Sequence, residues 1–201
     1  MKNLKTQKNR SRGKMKNTGI EKDLEGLLHG NEKTRARSFA VLYPLSGTNP
    51  EKLYPYWETF EEMLRKPEVT YKYYAIHILA NLAAADRENK FKKIYDLWFN
   101  DLLNHESPVV SPHIAEKSGK IVMAKPELEG KITSFLLDAE NHSKCKHKEL
   151  LKGYVLSALD LYFNLITRKN EVIEFVRRQL TSTSQLTKRK AKDLMIKYNL
   201  S

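Results

Sequence analysis

Three side chains able to bind a metal lie close together in a polar segment of the chain. His142, Cys145 and His147 fall within six residues. Imidazole nitrogen and thiolate sulfur are ligands that zinc prefers, but a structural zinc site usually has four ligands arranged as two separated pairs. The sequence shows no second pair, and lysines alternate with these three residues. We therefore interpret the segment as a solvated loop and predict no metal and no other cofactor.

The sequence contains no motif for another kind of catalysis. No P-loop, no Ser-His-Asp order and no paired-carboxylate pattern is present. The single cysteine excludes an internal disulfide framework and is typical of a reducing compartment. No apolar run approaches the ~18 residues of a membrane span, and the N-terminus lacks the apolar segment of a signal peptide. These features predict a cytoplasmic protein without a membrane span.

The positive charge of the chain is concentrated at its N-terminus. The net charge is +12, but seven of the basic residues and none of the acidic ones lie in residues 1–20, which leaves +5 for residues 21–201. Residues 1–19 have few apolar side chains and repel one another, so we expect a disordered tail. The tail is either a solvated leader or an arm that binds nucleic acid weakly and without sequence specificity. Further candidate residues for binding a polyanion are Lys144, Lys146, Lys148, Arg177, Lys188, Arg189, Lys190 and Lys192.

The elements that must position any site form a repeat. The segments at 71–82 and 111–122 match at an offset of 40 residues, and the matches continue around Val155. A second set of matched apolar positions follows each segment, at offsets of 38 and 40 residues. Both sets have the spacing of buried helix faces, so the sequence predicts consecutive helix pairs over residues 20–201. The matched positions are Ala75, Ala115 and Val155; Leu79, Gly119 and Leu159; Leu82, Val122 and Tyr162; Ile94, Ile132 and Val172; Trp98, Leu136 and Val176.

Small residues and an atypical first pair complete the predicted repeat. Gly119 stands where the neighbouring repeats have leucine, which predicts a close approach between two helices. The first pair, before Ser46, is predicted to bury one stripe at Leu24, Leu27 and Leu28 and a second stripe at Ala36, Phe39, Ala40 and Tyr43.

This pattern resembles the HEAT and armadillo superfamily of helical repeats. In HEAT repeats a small residue is followed at +4, +5 and +7 by a leucine, a small residue and an aliphatic residue. Here the pattern is Ala75, Leu79, Ala80 and Leu82, and it recurs from Ala115 with Lys120 off the pattern. The resemblance implies an all-α superhelix, or solenoid, of about four to five helix pairs.

In such solenoids the second helix of each pair lines the concave face, so the resemblance also indicates a binding surface. The repeated polar positions of the second helices carry mixed and net acidic charge, whereas a groove for phosphates should be basic. We therefore expect a protein partner on this face. The candidate residues are Asp96, Asn100, Ser134, Asp138, Glu174 and Arg178.

The alternative function is a DNA-binding or DNA-repair protein of the same architecture. Some HEAT-like proteins are alkylation-repair glycosylases that use tryptophans beside an acidic residue. The corresponding residues here are Trp57 with Glu61 and Trp98 with Asp101. Both tryptophans also fall on apolar stripes, where core packing accounts for them. We expect a monomeric, non-enzymatic interaction module and keep glycosylase-type DNA repair as the alternative.

Overall fold

The computed structural model describes residues 18–200, and this part of the chain is all-helical. Helix accounts for 80% of the structure, and no strand occurs among the described residues. Most of the predicted tail, residues 1–17, lies outside this range, and the first helix begins at Thr18. The helices are α1 Thr18–His29, α2 Glu32–Thr48, α3 Pro50–Leu53, α4 Trp57–Arg65, α5 Val69–Leu82, α6 Phe91–Asp96, α7 Val110–Ala124, α8 Glu129–His142, α9 Lys148–Leu161, α10 Lys169–Gln179 and α11 Gln185–Lys197.

The chain divides into two compact units, with the boundary after Leu42, inside α2. In the first unit, Leu24 and Leu27 of α1 are buried as predicted. The stripe predicted on α2 is wrong in part, because Ala36 and Ala40 are exposed whereas Ser38 and Leu42 are buried. Ser38 faces α1, where its hydroxyl lies against the Cα of Gly26 and leaves no room for a larger residue.

The second unit, residues 43–200, is built around a row of first helices. α5 packs on α7, α7 on α9 and α9 on α11. The matched positions of the sequence repeat are all buried in this row, including Ala75, Ala115 and Val155. Apolar side chains at helical spacing thus face the preceding and the following repeat at the same time. The packing is closest between α7 and α9, where a Cβ on Gly119 would lie 2.9 Å from the carbonyl oxygen of Ala158.

The second helices α6, α8 and α10 bury their own matched set, including Ile94, Ile132 and Val172. The first of them continues from α6 into a π-helical segment, Leu97–Leu102, in which Leu103 N–H donates to the Trp98 carbonyl oxygen at 3.0 Å. This wider turn lets four apolar side chains that do not share one α-helical stripe all reach the core. They are Trp98, Phe99, Leu102 and Leu103.

Buried carboxylates connect each repeat to the next. Asp86 accepts hydrogen bonds from Tyr54 Oη at 2.8 Å and from the backbone N–H groups of Lys90 and Phe91, and it pairs with Lys125 Nζ at 3.1 Å. Burial acts to raise the pKa of Asp86, but these hydrogen bonds outweigh it and lower the pKa overall. One repeat further on, Glu129 is buried and accepts a hydrogen bond from Thr167 Oγ1 at 2.8 Å.

Candidate functional site

A group of polar and aromatic side chains in contact with one another lies along the first helices. We call it the aromatic-basic strip, and it crosses α2, α5, α7, α9 and α11. Helical spacing places its members on one face of each helix, at i and i+4 on α5 and at i, i+3, i+4 and i+7 on α7. The strip consists of Tyr43, Tyr73, His77, His113, Glu116, Lys117, Lys120, Tyr154 and Lys190.

The rings of the strip form an unbroken series of contacts. Tyr43 packs against His77 with ring centroids 5.2 Å apart, and His77 lies 4.9 Å from His113. His113 then contacts Tyr154 at 5.2 Å, and Lys190 Nζ lies 5.2 Å from the Tyr154 ring centroid. Because each contact joins a different pair of helices, the series holds the face of four repeats in one fixed arrangement.

Glu116 is the single carboxylate of the strip, and the His113 imidazole and the Lys117 ammonium group flank it. Its Oε2 lies 3.6 Å from His113 Nδ1 and 3.0 Å from Lys117 Nζ. The adjacent His113 imidazole, with Lys117, lowers the pKa of Glu116 to about 2 against the opposing effect of burial. Glu116 therefore remains charged at any physiological pH.

Lys120 and Lys190 have only neutral hydrogen-bond partners. Lys120 Nζ donates to Asn81 Oδ1, and Lys190 Nζ donates to Ser157 Oγ. Within residues 18–200, neither ammonium group has a carboxylate at ion-pair distance. Burial lowers the pKa of both lysines, and the charge of Glu116 opposes this effect without outweighing it.

At one end the strip borders a shallow hollow between α9 and α11. The hollow has a volume of about 180 Å³, and Ser157, Asp160 and Lys190 contribute to its lining. Sites for small molecules usually exceed roughly 300 Å³. The shape of this end of the strip is therefore better suited to an extended partner than to an enclosed small molecule.

The six residues predicted on the second helices lie on the surface. All six are exposed, and several make contacts within their own helix: Asn100 with Asp96 at 3.4 Å, Asp138 with His142 at 3.1 Å and Glu174 with Arg177 at 3.4 Å. Ser134 accepts a hydrogen bond from Arg168, and Arg178 lies 3.7 Å from Glu140. They are spread along three helices and do not form a connected cluster like the strip.

The predicted polyanion-binding residues are also dispersed. Lys144, Lys146 and Lys148 are exposed where α8 connects to α9, and Arg177 is paired with Glu174. On α11, Lys188 and Lys192 are four residues apart and share a face, whereas Arg189 and Lys190 point in other directions. Of all these residues, only Lys190 belongs to the aromatic-basic strip.

The tryptophans of the repair alternative are in the core. Trp57 and Trp98 are completely buried, and Trp98 Nε1 donates to Ser118 Oγ at 3.0 Å. Glu61 pairs with Arg65 at 3.1 Å, and Asp101 is exposed.

The three potential metal ligands are separated by burial. Cys145 is buried, whereas His142 and His147 are exposed, and His142 lies 3.1 Å from Asp138. Among the described residues, no three side chains of the metal-binding types come together.

The sequence analysis did not identify the aromatic-basic strip, because it placed the predicted binding surface on the repeated polar positions of the second helices. One signal was nevertheless present. Tyr73 and His113 are 40 residues apart and therefore occupy equivalent positions in successive repeats. One helical turn later, His77, Lys117, Ser157 and Lys197 are equivalent in the same way. These two sets of equivalent positions carry polar and aromatic residues immediately beside the buried positions, which is typical of a half-buried helix face.

Comparison of the chain with protein-family models, with curated proteins and with solved structures gave no match. No helix within residues 18–200 has the length and apolar character that crossing a membrane would require.

Proposed function

We propose that the protein is a non-enzymatic interaction module of the HEAT-like solenoid type, which binds a protein partner through the aromatic-basic strip. The repeat supports the architecture, because matched positions 40 residues apart are buried and successive first helices pack on one another in order. The binding surface that we propose lies on the first helices, whereas the sequence suggested the second helices.

The observation that carries the proposal is the series of ring contacts across four helices, which Lys190 extends to a fifth. Tyrosine rings are enriched among residues that dominate protein-protein binding energy, since they bury a large area and lose few rotamers. In the strip, Tyr43, Tyr73 and Tyr154 are half-buried and held by neighbouring rings. Binding on such a preorganised face costs little additional conformational entropy.

The burial of both tryptophans supports a non-enzymatic function over glycosylase-type repair. An indole that contacts a damaged base must reach the surface, and Trp57 and Trp98 are completely buried. Exposing either one would require opening the core, which costs several kcal/mol for a residue of this size.

Site-specific cross-linking tests the proposal. The full-length protein carrying Tyr73→p-benzoylphenylalanine is irradiated in a nuclease-treated lysate of the source cells. We expect a covalent adduct with a protein, which the additional change Tyr154→Ala reduces by about tenfold or more, in line with the loss of a central aromatic contact. The melting temperature of each variant shows that it is folded.

The matched control carries the same photoreactive group in Asn100→p-benzoylphenylalanine on the second-helix face. Adducts formed from position 100 but not from position 73 would show that the second helices bind the partner. Adducts that form only in a parallel lysate left without nuclease would favour nucleic-acid binding and contradict the proposal.

A further inference from the structure

The charges of the aromatic-basic strip are not balanced. The strip contains three lysines and one glutamate, and His77 is uncharged because burial, and after it the charge of Lys117, lowers its pKa to about 3. The carboxylate of Glu116 already contacts His113 and Lys117. The two ammonium groups that remain without an anionic partner are those of Lys120 and Lys190.

Three other largely buried lysines of the same unit are paired with carboxylates, whereas Lys72 donates to the backbone carbonyl of Lys66. Lys90 Nζ lies 2.9 Å from Glu58, Lys125 Nζ lies 3.1 Å from Asp86, and Lys152 Nζ lies 3.1 Å from Glu140. A partly buried ammonium group without a counter-charge is unfavourable, and a carboxylate at hydrogen-bonding distance offsets that cost. The protein itself supplies this carboxylate at those three sites and to Lys117 of the strip, but not to Lys120 or Lys190 at ion-pair distance.

We propose that the partner presents an acidic peptide segment, whose carboxylates pair with Lys120 and Lys190 on the aromatic-basic strip. This inference rests on the proposed function and defines the chemistry of the partner. Lys120 Nζ lies 6.0 Å from the Tyr43 ring centroid and Lys190 Nζ lies 5.2 Å from that of Tyr154. Each carboxylate would therefore bind beside a tyrosine ring that also accepts apolar contact from the peptide.

The arrangement of the rings favours a peptide over a nucleic acid. Base stacking requires a free ring face. Three ring contacts of the strip are edge to face, with interplanar angles of 85° for Tyr43 and His77, 79° for Tyr73 and His113, and 80° for His113 and Tyr154. The contacts of His77 with Tyr73 and His113 are tilted at 51° and 55°. None of these pairs is parallel, so the rings do not present a row of parallel faces for successive bases. The charged Glu116 at the centre of the strip would also repel a continuous phosphate backbone, whereas separated carboxylates avoid it.

The test measures binding of fluorescent poly-L-glutamate and of a thymidine 30-mer by anisotropy in ~0.15 M salt, an ionic strength that screens distant charges. The full-length protein is compared with the double variant Lys120→Gln and Lys190→Gln. The matched control is Lys188→Gln and Lys192→Gln, which removes the same charge from α11 outside the strip. We expect the first pair to weaken poly-L-glutamate binding by about tenfold or more and the control pair by less than about twofold.

Equal losses in the two double variants would show that only net charge matters and would overturn the inference. A greater loss of thymidine 30-mer binding than of poly-L-glutamate binding in the first pair would assign the strip to nucleic acid instead. The cross-link from position 73 separates the two levels. An adduct with a protein that persists in the Lys120→Gln and Lys190→Gln variant would keep the proposed function and refute the acidic segment.

Discussion

His77 connects the packing of the first helices to the titration of the aromatic-basic strip. The residue is only 6% exposed, and Tyr43, Tyr73 and His113 surround its ring. Burial is the main cause that lowers its pKa to about 3, and Lys117, His113 and Lys120 add to the effect while Glu116 opposes it. In the unfolded chain a histidine titrates near pH ~6.5.

This difference predicts that the protein loses stability in mild acid. Below pH ~6.5 the unfolded chain takes up a proton at His77 that the folded protein does not, so the free energy of unfolding falls by up to about 1.4 kcal/mol per pH unit until the folded pKa is reached. Between pH ~7 and ~5 the contribution of this group is about 2 kcal/mol. Urea unfolding at both pH values should show that His77→Phe abolishes this part of the loss, whereas the exposed control His147→Gln retains it. An unchanged pH dependence in His77→Phe would mean that His77 is accessible to protons in the folded state.

At the residue scale, the sequence predicted the packing but not the aromatic-basic strip. The buried ladder and the close approach at Gly119 follow from helical spacing and are confirmed by the structure. The strip was not predicted because the half-burial of Tyr73 or His113 depends on the distance to the next helix. The spacing of residues along one helix gives no information about that distance. The same limit explains why a pairing such as Lys120 with Asn81, 39 residues apart, was not predicted.

At the element scale, the distance between α7 and α9 is set by a glycine. A Cβ at position 119 would lie 2.9 Å from the carbonyl oxygen and 3.1 Å from the Cα of Ala158, so relief requires movement of the α9 backbone. We expect Gly119→Leu to reduce the free energy of unfolding by about 1–3 kcal/mol through overpacking.

The control for this prediction is Gly130→Ala on α8, where a Cβ meets no atom within 4 Å. Alanine should there raise stability by up to about 1 kcal/mol through its higher helix propensity. Urea unfolding of both variants measures the two effects. A Gly119→Leu protein as stable as the wild type would show that α9 moves away from α7 without cost.

The differences between predicted and observed elements have local causes. Apolar residues continue at helical spacing from Leu151 to Ile166 and would by themselves predict one long helix, but α9 ends at Leu161 and a 3-10 turn, Phe163–Leu165, follows. Tyr162 is the last matched position, and its hydroxyl lies 3.0 Å from Thr133 Oγ1 of α8. The π-helical turn after α6 likewise accommodates apolar residues that lie on more than one side of a helix. The sequence shows these residues, but it does not show that the backbone widens into a π-helix to bury them.

At the scale of the whole molecule, most of the excess charge lies outside the described residues. Seven basic residues and no acidic residue fall in residues 1–17. We expect the full-length protein to bind duplex DNA weakly and without sequence preference, and removal of residues 1–17 to abolish most of this binding. The slope of log affinity against log salt should become shallower by about 0.9 for each phosphate that the truncated protein no longer neutralises.

The control for the truncation is the Lys188→Gln and Lys192→Gln protein, which loses two charges from the folded part and should keep most of its DNA binding. Filter binding or anisotropy at several salt concentrations measures both proteins. Tight DNA binding by the truncated protein would contradict the prediction and would favour the DNA-binding alternative.

Contacts of the carboxylates Asp86, Glu129 and Asp160 with a neighbouring repeat, here called carboxylate joints, also bear on the order in which parts of the chain fold. Tyr54 contacts Asp86 at a separation of 32 residues, Asp86 contacts Lys125 at 39, Glu129 contacts Thr167 at 38 and Asp160 contacts Tyr198 at 38. A ribosome adds ~40 residues in about 2–8 s, whereas local helical structure docks in microseconds to milliseconds. Each joint therefore has time to close before the next repeat has been synthesised, so the order of synthesis can also be the order of folding.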